Sequence, residues 1–279
     1  MQLEPWILQH ESTLRLTCFL SVFFLIAIFE WMKPRRIQSA YRSSRWFSNL
    51  ALASISTLAV RLIVPIGLVA IALKIKQQNL GLFNLISLPD WLSIIMALVV
   101  LDFSIYWQHR LFHKVPILWR IHKIHHSDRV YDVSTGFRFH PLEIILSIFI
   151  KIFIISLFGI PAIAIILFEV LLNALAMFNH GNINIPRSID NQLRRFIVTP
   201  DMHRVHHSEI NCEHNTNFGF NISLWDRLFN SYTAQPSKGH QEIDIGIKEY
   251  PSETRTREII FLLKMPFVNV SKSSKTDQS

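Results

Sequence analysis

Two short segments hold eight histidines. His109-Arg-Leu-Phe-His113 is followed, after eight residues, by His122-Lys-Ile-His125-His126, and the second half of that pattern returns as His203-Arg-Val-His206-His207. The chain has 13 histidines in 279 residues, so most of them are spaced, not scattered. On a helix, positions i, i+3 and i+4 share a face, and each segment would present its imidazoles together. Imidazole suits Fe, Zn, Cu and Ni. A structural zinc takes four ligands, usually with cysteine among them, but Cys18 falls in an apolar run and Cys212 in a polar loop, neither within these segments. Eight imidazoles exceed the needs of one ion, and the count fits two ions of four or five ligands each. A basic belt of interfacial histidines, the bland alternative, leaves the repeated spacing unexplained. Asp102 falls on nearly the same helical face as His109 and His113. It is expected to accept from an imidazole N–H and orient the ring, the alternative being a solvated or ion-paired interfacial carboxylate.

The elements that must position these rings read as membrane helices. Half of the residues are apolar and only 17% are charged, against roughly a quarter in soluble domains. The expected fold is all-α: an integral membrane helical bundle of about four to five membrane segments, with a cytoplasmic histidine-rich helical cap. Residues 1–13 are a polar start with no convincing cleavable signal. Apolar runs follow at about 14–32, at 46–73 (broken by Arg61 and Pro65) and at 89–107, the last leading straight into His109. The run at 142–178 is too long for one span. Gly159 and Pro161 near its middle mark a hairpin turn, with a shallow re-entrant dip as the alternative. One domain is expected over 1–268, with its histidine-box core at about 95–235 and a disordered tail at 269–279.

The loop 33–45 has Lys33, Arg35, Arg36, Arg42 and Arg45 and no acidic residue, which places it in the cytoplasm. Counting spans forward brings both histidine segments to that same side. The net charge of +8 is read as this topogenic bias and as affinity for anionic headgroups, not as a sign of nucleic acid. Arg110, Arg120, Lys123, Arg138 and Arg204 are expected to form a solvated basic face, or to meet headgroups or an electron donor. Trp107, Trp119 and Trp225 fit an interfacial aromatic belt.

The three boxes and the words around them resemble the fatty acid hydroxylase/sterol desaturase superfamily of membrane-bound di-iron oxygenases. The matching words are Trp119 to Ser127, Thr135 to Pro141, Thr199 to Ser208, Asn217-Phe-Gly-Phe220 and Leu224-Trp-Asp-Arg-Leu-Phe229. The resemblance covers roughly 95–235 and is closest to the bacterial-type branch of sterol desaturase family proteins. It implies two iron ions (Fe2+, with zinc able to substitute on purification), O2 as co-substrate, and hydroxylation or desaturation of a lipid, fatty acyl or sterol-like substrate drawn from the bilayer. The implied location is the bacterial inner membrane. With eight glycines and no dinucleotide fingerprint, the chain would take electrons from a separate ferredoxin, cytochrome or reductase.

The resemblance also implies a ninth metal-binding histidine between the second and third boxes, matched by His180. The position four residues on, a histidine in some relatives, is Asn184 here, a poor ligand for these metals that could instead orient one. His140 stands as a tenth ligand or as a lining of the substrate path. Glu169, on the face of His180, could orient a ligand, as could Asp201, for which helix capping is an equal alternative. His214 and His240 read as loop histidines and His10 as incidental. The competing function is a membrane metal-ion transporter or metal-binding protein without oxygenase activity. Transporters hold their ligands near the bilayer midplane, whereas these boxes fall outside the spans.

Overall fold

The computed structural model describes residues 3–37 and 41–268, and the tail expected at 269–279 lies outside the described residues. The chain is helical, with three isolated β-bridges and no β-ladder among the described residues. A short helix α1 (Leu3–Gln9) precedes α2 (Glu11–Met32), which ends just before Lys33-Pro34. α3 (Arg42–Ile63) stops ahead of Pro65, whose ring and missing N–H cannot continue a helix, and α4 (Gly67–Gln77) carries the chain on. α5 (Leu82–Leu85) links to α6 (Asp90–Lys114), and Pro116 opens α7 (Pro116–His126), where a proline costs no helical hydrogen bond.

α8 (Pro141–Phe158) and α9 (Ala162–Asn179) form the expected hairpin. Gly159 closes α8 at φ 67° in the left-handed region, which glycine enters without penalty. Each arm has 18 residues, about 27 Å of helix, which by length and composition is enough to cross a bilayer. Five segments among the described residues are long and apolar enough to span a bilayer, one of them covering α3 through α5. Their apolar core joins α4, α6, α8 and α9 through Leu68, Ala97, Leu101, Ile155, Ile165 and Phe168.

The rest of the chain is a cap of short helices: α10 (Arg187–Leu193), α11 (Pro200–His206), α12 (Asn211–His214), α13 (Leu224–Leu228), α14 (Gly239–Glu242), α15 (Glu253–Thr256) and α16 (Ile259–Lys264). A buried polar network holds it on the spans. Arg45 of α3 donates to Asp128 at 2.7 Å and to Asp132. Arg138 donates to Asn49 Oδ1 at 2.7 Å, to the Ile124 carbonyl at 2.9 Å and to the Ser127 hydroxyl at 2.8 Å. Glu30, near the end of α2, accepts from the backbone N–H of Val133 at 2.7 Å and of Asn182 at 2.8 Å. Removing one partner from such a buried ion pair costs about 3–5 kcal/mol, so the network fixes the end of α7 against α2, α3 and α9. Gly136 completes the fit: a Cβ there would stand 2.7 Å from the Ala176 carbonyl oxygen of α9.

The basic face expected of the cap is mostly internal. Arg138 and Arg204 are fully buried, Lys123 is buried, and Arg120 donates to the Pro266 carbonyl at 2.7 Å. Long cationic side chains here satisfy backbone carbonyls and carboxylates that the folded cap removes from water.

Candidate metal centre

α6 leaves the membrane-spanning body carrying His109 and His113, α9 ends one residue before His180, and α7 and α11 bring the two H-x2-H-H segments across from each other. Thr199 caps α11, accepting from the Met202 N–H at 3.3 Å. The nine histidines singled out above divide into two groups. His109, His113, His122, His126 and His206 form one, and His125, His180, His203 and His207 the other. Within each group one ring nitrogen per residue lies within 4.8 Å of all the rest. The two repeated segments split in complementary ways. α7 gives His122 and His126 to the five and His125 to the four. α11 gives His206 to the five, while His203 and His207, the latter just past its end, go to the four.

Proton positions follow from the acceptors. His109 Nδ1 stands 2.8 Å from the Phe218 carbonyl, His206 Nδ1 2.7 Å from the Thr216 carbonyl, and His180 Nδ1 2.7 Å from the Ala176 carbonyl. A carbonyl only accepts, so each of these nitrogens carries the proton. Burial drives His180 down to about 3 and His206 well below its ordinary value, so these rings are neutral and their Nε2 atoms are bare lone pairs. Yet His206 Nε2 faces His109 Nε2 at 3.0 Å, and His180 Nε2 faces His203 Nε2 at 3.2 Å and His125 Nε2 at 3.1 Å. In the His109–His206 pair both lone pairs point at one another, an arrangement that a cation between them resolves. Two nitrogens about 2.1 Å from a common ion stand about 3.0–3.4 Å apart for angles from right to tetrahedral. Further ring nitrogens of His113, His126, His203 and His207 are buried without a hydrogen-bond partner. The donor set therefore fits two cations.

One residue that orients a ring was absent from the sequence reading. Glu143, in the first turn of α8, accepts from His122 Nδ1 at 2.7 Å. The available signal was an acidic residue at the head of an otherwise apolar run. His214, by sequence a loop histidine, packs on the five-membered group, its ring centroid 4.5 Å from His126 and 4.8 Å from His113. Together with His113 itself and with Trp119, which packs on His113, it lines a cavity of about 270 Å³.

Other expected partners lie elsewhere. Asp102 reaches no imidazole: its Oδ2 accepts from Trp225 Nε1 at 2.8 Å and from the Ile222 N–H at 3.3 Å, anchoring the loop that holds Phe218 and Phe220. Glu169 pairs with Lys151 at 3.3 Å and with Arg15, far from the histidines; a carboxylate at that depth takes the nearest cations. His140 belongs to neither group. Its Nδ1 accepts from the Leu142 N–H at 3.2 Å as the cap of α8, and its Nε2 donates to the Leu263 carbonyl at 3.2 Å, so neither nitrogen is free for an ion. Asp201 neither orients a box imidazole nor caps α11: it pairs with Arg35 at 3.1 Å and with Arg204, and stands 3.5 Å from His240. Asn184 Oδ1 lies 3.4 Å from Arg35, away from both groups.

A family model described as fatty acid hydroxylase matches residues 94–231. The chain belongs to the fatty acid hydroxylase/sterol desaturase superfamily. It is 28% identical over 234 residues to the ornithine lipid hydroxylase of Rhizobium tropici, covering 81% of this chain and 69% of that protein. It is 29% identical over 167 residues to human alkylglycerol monooxygenase, covering 58% of this chain and 35% of that one, so it spans about a third of the latter's length. Human lathosterol oxidase is 26% identical over 216 residues, 76% of this chain and 68% of that enzyme. These relatives are oxygenase-type oxidoreductases of lipids. No solved structure matches the chain. The five apolar segments and these relatives make it a multi-pass membrane protein.

Proposed function

We propose that the chain is an O2-dependent oxidoreductase that hydroxylates a membrane lipid, working as one domain over residues 1–268, with the nine grouped histidines holding two iron ions. The observation that carries this reading is the meeting of bare Nε2 lone pairs at 3.0 Å between His109 and His206. Bound there, iron supplies the reduction of dioxygen and the oxidation of an unactivated C–H bond. Zinc would occupy the same imidazoles but has no redox chemistry. The overall balance takes O2, two electrons and two protons, converts C–H to C–OH and releases water. Desaturation would remove a second hydrogen instead.

The chain's own residues bind, orient and exclude water. Carbonyls of Phe218, Thr216 and Ala176 and the Glu143 carboxylate fix which imidazole nitrogen faces each ion, the orienting role such partners play in metal sites. Burial of His122 drives its pKa down to about 3, so no proton competes for its free nitrogen near neutral pH. Electrons come from a separate ferredoxin, cytochrome or reductase. The cap faces the cytoplasm of a bacterial inner membrane in this reading, supported by Lys33, Arg35 and Arg36 at the cap side of α2.

The test is a lipid profile of a deletion strain carrying either the wild-type gene or a His125→Ala/His126→Ala version. The wild type restores a lipid bearing one more hydroxyl, or one more double bond, and the double variant does not. Identical lipids in both strains, together with metal movement across sealed vesicles, would replace the oxygenase with a transporter.

A further inference from the structure

Among the aromatic side chains packed on the histidines, Phe139 and Phe220 stand apart. The Phe139 ring is stacked on His125, with centroids 4.4 Å apart and planes 11° from parallel, and lies 6.4 Å from His122. Phe220 lies 6.2 Å from His109 and 6.3 Å from His203. Each ring thus touches one imidazole of the five-membered group and one of the four-membered group. The other rings keep to one group: Phe218, Trp119 and Phe112 touch only the five, and Tyr131 only the four. Phe112, Tyr131 and Phe218 are also sealed at 1% exposure, while Phe139 and Phe220 are only partly buried.

The fold puts both rings on the membrane side of the centre. Phe220 packs against the apolar core of the spans. Phe139 directly precedes His140, the cap of α8, and its carbonyl accepts from the Ser56 hydroxyl of α3 at 3.3 Å. The opposite side carries the 270 Å³ cavity, which reaches His113 but is lined by Ser208, Glu209, Asn211, Lys248 and Glu249, polar and charged groups unsuited to an alkyl chain. An apolar chain that rises from the spans toward both groups would meet these two phenylalanines. Their ring faces offer dispersion contact and no hydrogen bond, which suits methylene groups and not a headgroup.

We propose that Phe139 and Phe220 form the portal through which one alkyl chain of a membrane lipid reaches the centre, and that they are positioning residues for the carbon presented to it. The inference rests on the lipid-oxygenase reading and names the specificity device of that site. The variants are Phe139→Trp and Phe220→Trp, which fill the portal, and Phe139→Ala and Phe220→Ala, which widen it. Each is placed in phosphatidylcholine nanodiscs containing a phosphatidylcholine with a photoactivatable diazirine in its acyl chain. Metal content and Tm serve as controls for folding. In the wild type, illumination labels peptides containing residues 139 and 220 and those of the histidine segments. The tryptophan variants lower histidine-segment labelling about ten-fold, within the range that small volume changes produce in apolar pockets, with metal retained. The alanine variants keep the labelling and, in turnover with reductant and O2, shift the ratio of oxidised chain positions. Unchanged histidine-segment labelling in metal-replete tryptophan variants, or labelling confined to the Trp119 and His214 side, overturns the portal. Labelling that follows the expected pattern in a protein that oxidises no lipid overturns the oxygenase reading and leaves the portal standing.

Discussion

The five-membered and four-membered histidine groups draw on the same two repeated segments, yet they are supported differently. In the five, His109, His122 and His206 each have Nδ1 braced, by the Phe218 carbonyl, the Glu143 carboxylate and the Thr216 carbonyl. His113 and His126 of the five are unbraced; in the four, only His180 is braced, by the Ala176 carbonyl, and Nδ1 of His125, His203 and His207 has no hydrogen-bond partner, so three of five rings are held against one of four. A braced imidazole arrives at the ion pre-oriented, and a carboxylate partner also raises its basicity. The difference predicts that an ion in the five would be held more firmly than one in the four. An oxygenase that must bind and release a small gas and a lipid has use for one adaptable position.

The sharpest way to separate the groups is to remove one imidazole from each. His126→Ala should strip the ion of the five and His180→Ala that of the four, and both should abolish lipid oxidation, while metal analysis finds the untouched group still filled. Loss of both ions from either variant would show the groups to be one unit. Glu143→Gln should weaken the five-membered group alone, by about 10–100-fold in affinity as read by chelator competition. An equal effect on the four would remove the contrast.

The scaffold that holds α7 comes next. Burial pushes the Asp128 carboxyl up, but the charges of Arg45 and Arg138 outweigh it and bring the pKa down to about 2 from an ordinary 3.8. A depressed folded-state pKa adds stability that is complete above pH 3.8 and fades as pH falls toward 2, an effect of about 2–3 kcal/mol. The Tm gap between wild type and Asp128→Asn should therefore be constant near neutrality and narrow below pH 4 or so; a gap that widens in acid would contradict the pairing. Asp102→Ala leaves Trp225 Nε1 and the Ile222 N–H unpaired and should cost about 1–3 kcal/mol of stability, seen as a lower Tm with metal binding little changed. Asn184→His should add no ligand at all, because position 184 faces Arg35.

Where the sequence was readable, the signal was local. The box histidines lie three and four apart on helical segments, so shared faces follow from helix geometry, and Gly159 with Pro161 marks the hairpin turn. His180 also joined the predicted set, though the resemblance and not its spacing pointed there. What failed was the choice of partner across the fold. Facing the histidines on a helical wheel gives Asp102 and Glu169 a direction but says nothing of Trp225, Arg15 or Lys151, which reach them first from other elements. Glu143 was missed for the same reason in reverse, since its partner His122 sits on another helix. Even the loop that suggested topology carries internal duties: Arg42 pairs with Glu30 at 3.0 Å, and Arg45 with Asp128 and Asp132.

The most direct test of the account is the metal content of purified protein loaded anaerobically with Fe2+ and then challenged with a chelator. Two irons per chain that leave in two phases, the faster phase vanishing in His180→Ala, is the predicted result. A single iron per chain, or two that leave together and are both lost from His180→Ala, would contradict two separately supported ions.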